Sequence, residues 1–159
     1  MSSQCDIMFV SSAGGHLTQM LRLQKEYDGD RCVVVTEGTP ATEGLKQELL
    51  SEVLFLPHGG REKPWAFAVK FLWNMILSLF RVLRYRPKVV ISTGAHTAVP
   101  TCYFAKIFGG KIIYVESFAR IRSPSLTGRM LYPIADRFYV QWPELRRVYK
   151  RARYEGKLY

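Results

Sequence analysis

The sequence predicts an α/β fold in which a Rossmann-like parallel sheet is flanked by helices. Short β-branched and apolar runs alternate along the chain with segments whose apolar residues recur at helical spacing, and the connections between them are short. The first apolar run leads directly into Gly14-Gly15 and then into a helical segment, which is the arrangement of a βα unit. A chain of 159 residues fits one such domain.

The predicted strands are short and mostly apolar, as expected where both faces of a parallel sheet are covered. They lie at residues 7–10, 32–35, 53–56, 89–92, 112–115 and 137–140. Helical spacing predicts helices at residues 17–23, 42–50, 65–84, 98–108 and 126–134. Gly109 and Gly110 end the fourth of these helices, and Pro143 opens a last one.

The net charge and the cysteine content indicate which kinds of partner and which cellular compartment to expect. A net charge of +10 indicates an anionic partner, such as nucleic acid, anionic lipid or a phosphorylated substrate. The three cysteines form neither a metal-binding pattern nor a disulfide framework, which favours a reducing cytosol. The first residues lack the pattern of a signal peptide. We expect no metal site and no cofactor.

The predicted helix at residues 65–84 is unusually apolar. Its polar residues up to position 83 are Lys70, Asn74, Ser78 and Arg81, and their spacing places them in one stripe. Since a helix that packs on a sheet needs only one apolar face, something else should cover the remaining surface. A spanning helix is one alternative, but it would divide the α/β alternation and is barely long enough. A fully buried core helix is another.

Peripheral docking on a membrane is favoured over both alternatives, because basic residues cluster at the C-terminal end of this apolar helix and suit an interface with anionic lipid. The residues expected to contact the membrane are Trp65, Phe67, Phe71, Leu72, Trp73, Ile76, Phe80, Arg81 and Arg84. The net positive charge of the chain would add to the same attraction.

Candidate site residues lie in three loops, each of which follows a predicted strand. They are Gly14, Gly15, His16, Thr93, Gly94, Ala95, His96, Glu116 and Ser117. Because the carboxyl ends of parallel strands share one edge of a sheet, we expect His16, His96 and Glu116 to meet there. Each of these residues also has a purely structural interpretation, including an ion pair between Glu116 and a nearby arginine. His58 is expected to be structural or to face solvent.

These loops resemble those of a known family. Residues 12–17 (SAGGHL), 92–96 (STGAH) and 114–117 (YVES) are similar to the three loops of the N-terminal, acceptor-binding half of MurG-like GT-B glycosyltransferases. The resemblance covers essentially all 159 residues. It is strongest to free-standing halves: the bacterial PssD-type exopolysaccharide proteins, and the membrane-bound subunit of the eukaryotic transferase that adds the second GlcNAc to dolichol diphosphate.

The resemblance implies that residues 1–159 form a single half of a GT-B fold, an acceptor-binding domain. Such a half binds a lipid-diphosphate-linked sugar at the cytoplasmic face of a membrane, as a peripheral or monotopic protein. A separate donor-binding chain then completes a heterodimer for inverting transfer in polysaccharide or lipid-linked oligosaccharide synthesis, and we expect that chain because this one ends about where a one-chain enzyme enters its donor domain. By position, Gly14, Gly15, Gly94 and Ala95 would lie near the diphosphate.

The same resemblance places His16 and Glu116 near the acceptor sugar, where either could be the general base. Thr93, His96 and Ser117 complete the implied acceptor site.

Three other functions are considered beside this one. Glu37 follows the second strand where a ribose-binding acid of a dinucleotide-binding oxidoreductase would lie, but the first turn lacks the third glycine of that motif. A nucleic-acid-binding module is suggested by charge alone, and no recognised motif accompanies the basic residues. We therefore expect no nucleic-acid partner. A non-catalytic membrane adaptor is the third alternative.

Overall fold

The computed structural model describes residues 5–27, 31–49, 51–57 and 64–158. Six parallel strands form one sheet in the order β3-β2-β1-β4-β5-β6, which confirms the predicted fold class. Their bounds are Ile7–Ser11 (β1), Cys32–Glu37 (β2), Glu52–Leu56 (β3), Val89–Gly94 (β4), Lys111–Val115 (β5) and Arg137–Tyr139 (β6). This is the strand order of doubly wound dinucleotide-binding folds.

Helices cover both faces of the sheet. Their bounds are Gly15–Gln24 (α1), Leu45–Glu48 (α2), Pro64–Tyr85 (α3), Ala98–Ile107 (α4) and Leu126–Leu131 (α5), and Pro143–Arg147 forms a 3-10 helix. Alternate residues of a strand point to opposite faces, so the core is divided by the sheet. Met8 and Val10 join the cluster that includes α4 residues, whereas Ile7 and Phe9 join the cluster that includes α1 residues.

Two predicted helices are shorter than expected. α2 covers four residues, because Thr42 Oγ1 donates to the carbonyl of Glu37 at 2.7 Å and accepts from the N–H of Thr39 at 2.9 Å, which holds a turn before the helix. The predicted end of this helix at residue 50 lies outside the described residues. α5 ends at Leu131, two residues before Pro133, which has no N–H for a further helical bond.

The winding of the sheet reverses between β1 and β4. β1 pairs with β2 on one side and with β4 on the other, and its register with β4 shifts between Val10 and Ser11. The loops that follow β1 and β4 therefore leave the same edge side by side. Ligands of open α/β sheets bind in the crevice at such a switch point.

The middle of the polar stripe of α3 faces the interior of the protein, whereas Lys70 at its start is exposed. Asn74 and Ser78 are buried, and Ser78 Oγ donates to Asn74 Oδ1 at 3.2 Å. Asn74 Nδ2 donates to the carbonyl of Thr97 at 3.2 Å, and Thr101 Oγ1 donates to Ser78 Oγ at 2.9 Å. Buried polar groups need such partners, so the stripe is used to attach α3 to α4.

The outer face of α3 is consequently apolar. Trp65 is 69% exposed and Phe80 is 66% exposed. Also exposed are Val69, Leu72, Trp73, Met75, Ile76 and Leu83. Large contiguous apolar surfaces of this kind mark interaction sites. Within the described ranges, no helix combines the length and hydropathy that crossing a bilayer requires.

Three residues expected on this face lie elsewhere or only partly on it. Arg81 donates from its guanidinium to the carbonyl of Phe55, and burial lowers its pKa, so this side chain is used within the fold and its membrane contact stays a prediction. Phe67 and Phe71 are half-buried, and the ring of Phe67 packs on that of His96 at 5.4 Å between centroids. Helical spacing identified the stripe, but it could not tell which side of the helix the protein covers.

Candidate active site

His16 lies at the start of α1 and is fixed to the end of β4. Its Nδ1 donates to the carbonyl oxygen of Thr93 at 2.7 Å, while Thr93 Oγ1 donates to the carbonyl oxygen of His16 at 2.7 Å. A carbonyl can only accept, so the neutral ring carries its proton on Nδ1. Nε2 is then the basic nitrogen. The two loops are thus joined by a reciprocal pair of hydrogen bonds that sets the tautomer of the imidazole.

Gly94 and Ala95 shape the second loop around this ring. Gly94 has a φ of +116°, and a Cβ on it would lie 3.1 Å from His16 Nδ1 and 3.3 Å from the hydroxyl of Tyr114. Ala95 has a φ of +82°, a strained value for a residue with a side chain. Strained backbone of this kind concentrates at functional sites. The glycine is therefore required for both its backbone conformation and the approach of His16.

Gly14 gives the first loop its turn. Its φ is +82°, which an L side chain rarely adopts, and it precedes α1 without a capping side chain. Neither Gly14 nor Gly15 has a heavy atom within 4 Å of a Cβ built on it. The main chain at the start of α1 is therefore open to a ligand, and the first N–H groups of a helix attract anions.

Glu116 follows β5 but does not line the cavity, which corrects the expectation that its carboxylate faces the cleft. It is 0% exposed. Its Oε1 accepts from the N–H of Ser117 at 2.9 Å and the hydroxyl of Tyr114 at 3.3 Å. Its Oε2 accepts from the N–H of Ser125 at 3.2 Å and the hydroxyl of Tyr149 at 3.1 Å. The carboxylate holds the two ends of the loop after β5.

The two tyrosines remain hydrogen-bond donors to this carboxylate. Burial, and then the nearby charge of Glu116, raise the pKa of Tyr114 well above its usual value. The same two causes raise the pKa of Tyr149. Deprotonation of either phenol would bring two negative charges together in a buried site. The hydroxyls of Tyr114 and Tyr149 therefore keep their protons throughout the neutral pH range.

A cavity of about 420 Å³ opens at this edge of the sheet. Its walls are Ser12, His16, Ala95, His96, Ser117, Ala119, Arg120, Ser125, Leu126, Thr127 and Met130. All three predicted loops contribute, as expected from the parallel sheet. His96 also contacts α3, through Phe67. His58 lies outside the described residues, and no grouping of metal-ligating side chains occurs in the described part of the chain.

Several residues of this edge were missed at the sequence level. Arg120 contributes to the cavity, although no arginine was among the candidate site residues of the three loops. Gly128, Ser125 and Tyr149 surround the Glu116 carboxylate from distant positions. The unusual density of serine and arginine after the third loop is the one signal that could have drawn attention to residues 117–125.

Comparison with known proteins agrees with this architecture. Residues 61–158 match the family described as oligosaccharide biosynthesis protein Alg14 like. The chain belongs to this family. It is 31% identical to the UDP-N-acetylglucosamine transferase subunit ALG14 of Candida albicans, over 98% of this chain and 78% of that protein. It is 27% identical to the human protein of the same name, over 96% of this chain and 82% of that protein.

Solved structures place the Alg14-like chain in one half of a GT-B fold. MurG of Acinetobacter baumannii superposes with a TM-score of 0.72 at 17% identity, covering 88% of this chain and 42% of that chain. The UDP-N-acetylglucosamine 2-epimerase of Rickettsia bellii superposes with a TM-score of 0.75 at 14% identity, covering 98% and 45%. The Alg14-like chain thus spans less than half the length of either protein. At these identities the likeness concerns the fold alone.

Proposed function

We propose that this Alg14-like chain is the acceptor-binding subunit of a two-chain inverting glycosyltransferase. The acceptor is a sugar linked to a lipid diphosphate, the donor is a nucleotide sugar, and the product is an intermediate of lipid-linked oligosaccharide or polysaccharide synthesis. The names of the relatives favour N-acetylglucosamine as the transferred sugar. The family description favours the oligosaccharide route.

The geometry of His16 carries this proposal. Nδ1 is bonded to Thr93, so Nε2 is the nitrogen that accepts a proton, and the ring forms part of the wall of a cavity large enough for a sugar. Nε2 takes the proton of the acceptor hydroxyl. The freed oxygen forms its bond to the anomeric carbon of the donor while the bond from that carbon to the nucleoside diphosphate breaks. Attack opposite the leaving group inverts the configuration.

Glu116 has a different role in this proposal. Its two carboxylate oxygens already accept from four donors, so a sugar hydroxyl would have to displace one of them. We therefore assign the base to His16 and treat Glu116 as a positioning residue that fixes the loop after β5.

The donor site belongs to a partner chain in this proposal. The Alg14-like chain corresponds to 42% of MurG, and the relatives are named as subunits of a transferase. The partner would close over the edge of the sheet that holds the cavity. The nucleoside diphosphate would leave on the partner's side, where its charge must be stabilised.

Membrane attachment is assigned to the outer face of α3. The exposed apolar side chains can enter the interfacial region of a bilayer, and the exposed Lys70 and Arg84 can meet anionic headgroups. Phe67 connects this helix to His96 in the cavity wall. The subunit would therefore lie peripherally on the cytoplasmic face, with its acceptor cavity beside the lipid surface.

Reconstitution tests the function directly. The chain is co-expressed with candidate donor-half chains from its own source, and washed membranes are given UDP-N-acetylglucosamine and a lipid-diphosphate-linked N-acetylglucosamine. We expect the mass of the acceptor to rise by one sugar only when both chains are present. Absence of transfer in every pairing, together with a chain that stays monomeric and leaves the membranes in salt, would contradict the proposal.

A negative charge placed on the outer face of α3 is expected to weaken membrane binding. Trp73→Glu should lower the fraction of protein that sediments with anionic phospholipid vesicles by about tenfold, since it removes an exposed aromatic side chain that would enter the bilayer interface and adds repulsion from the headgroups. Val148→Glu is the matched control, because Val148 is also exposed but lies after the 3-10 helix. Equal sedimentation of the two variants would assign the lipid contact to another surface.

A further inference from the structure

One wall of the acceptor cavity combines a cation, hydroxyl groups and apolar side chains. Arg120 lies beside Ser117 and Ser125 in this wall. No hydrogen bond or ion pair joins the guanidinium of Arg120 to any other residue of the described segments. Leu126, which is 69% exposed, and Met130, which is 40% exposed, continue the same wall along α5.

The loop that carries Arg120 is held in place before any ligand binds. Its ends are fixed by the hydrogen bonds of the Glu116 carboxylate to the N–H groups of Ser117 and Ser125. Within it, the N–H of Arg120 donates to the carbonyl of Ser117 at 2.9 Å. Trp142 Nε1 donates to the carbonyl of Phe118 at 2.7 Å. Such preorganisation reduces the entropy that binding would otherwise cost.

We propose that Arg120 binds the diphosphate of the acceptor and that Leu126 and Met130 hold the adjoining end of its lipid chain. A guanidinium matches phosphate oxygens in geometry and charge, and the neighbouring hydroxyls can donate to the remaining oxygens. The apolar pair suits a hydrocarbon that begins where the phosphates end. The wall thus recognises the junction between the diphosphate and the lipid. This inference rests on the proposed function.

Binding of farnesyl diphosphate to the full-length chain in detergent tests the assignment. We expect Arg120→Ala to weaken binding about 10- to 100-fold, because charge-assisted hydrogen bonds to the phosphates are lost. Arg122→Ala is the matched control: it removes the same charge from an exposed position two residues away that does not line the cavity. The change for Arg122→Ala should stay within about twofold, the size of a screened surface charge effect.

The lipid contact is tested with the same probe and with inorganic diphosphate. Leu126→Ser should weaken binding of farnesyl diphosphate about tenfold while leaving that of inorganic diphosphate unchanged. Ile121→Ser is its control, since Ile121 is exposed but outside the cavity wall. Equal losses in Arg120→Ala and Arg122→Ala, or in Leu126→Ser and Ile121→Ser, overturn this inference alone. Failure of the unmodified chain to bind farnesyl diphosphate overturns the acceptor site itself, and the proposed function with it.

Discussion

Replacement of His16 by asparagine is expected to reduce sugar transfer by the two-chain enzyme about 10²- to 10⁴-fold, the usual contribution of a general base. The amide can still donate to the carbonyl of Thr93, so the junction between the loops can persist while the basic nitrogen is lost. The measurement is the initial rate of transfer at saturating acceptor, together with the melting temperature. The rate should fall without a comparable loss of stability.

A second variant separates the base from its support. Thr93→Val removes the hydroxyl that donates to the carbonyl of His16 but leaves the carbonyl that accepts from Nδ1. We expect about a tenfold loss of rate, because the ring is less firmly placed. Transfer that is unchanged in His16→Asn would favour the non-catalytic adaptor.

Substitution of Gly128 by alanine is expected to have the largest effect on stability. A Cβ at this position overlaps Oε2 of Glu116 and the hydroxyl of Tyr149, and lies 3.0 Å from Ser125 Oγ. The Glu116 carboxylate and the groups hydrogen-bonded to it must therefore shift. The combined cost of overpacking and a weakened buried hydrogen-bond network is about 3 kcal/mol. Denaturant unfolding of the full chain in mild detergent measures this loss.

Gly15→Ala provides the comparison for Gly128→Ala. No heavy atom lies within 4 Å of a Cβ on Gly15, which occupies the first turn of α1. Alanine is the better helix former, so the free energy of unfolding should stay the same or rise by about 0.5 kcal/mol. If the two alanine variants unfold at the same denaturant concentration, the hydrogen bonds to the Glu116 carboxylate do not stabilise this edge of the sheet.

The sequence was sufficient to predict which loops meet at one edge of the sheet, because this follows from the topology of a parallel sheet. Strands that alternate with helices form a parallel sheet, and the loops after β1, β4 and β5 must then leave the same edge. His16, His96 and Ser117 meet in one cavity for this reason. The position of each loop along the chain carried all the information that was needed.

The immediate partners of the buried groups were not predictable in the same way. Tyr149 reaches Glu116 across 33 residues, and nothing in the local sequence records that contact. The face of α3 that packs against the protein could not be predicted for a related reason. A helix with one polar stripe usually exposes it, whereas Asn74 and Ser78 find hydrogen-bond partners in and around α4. Such choices depend on tertiary contacts that periodicity does not contain.

The outward-facing apolar surface of α3 has a consequence for handling the protein in water. Because Asn74 and Ser78 use their polar groups on contacts within the fold, the helix offers a broad apolar surface to any neighbour until a bilayer covers it. Without lipid or detergent, the folded protein should therefore self-associate as its concentration rises, and this association does not require unfolding. Micelles that mask this surface should restore a single dispersed species with its secondary structure intact.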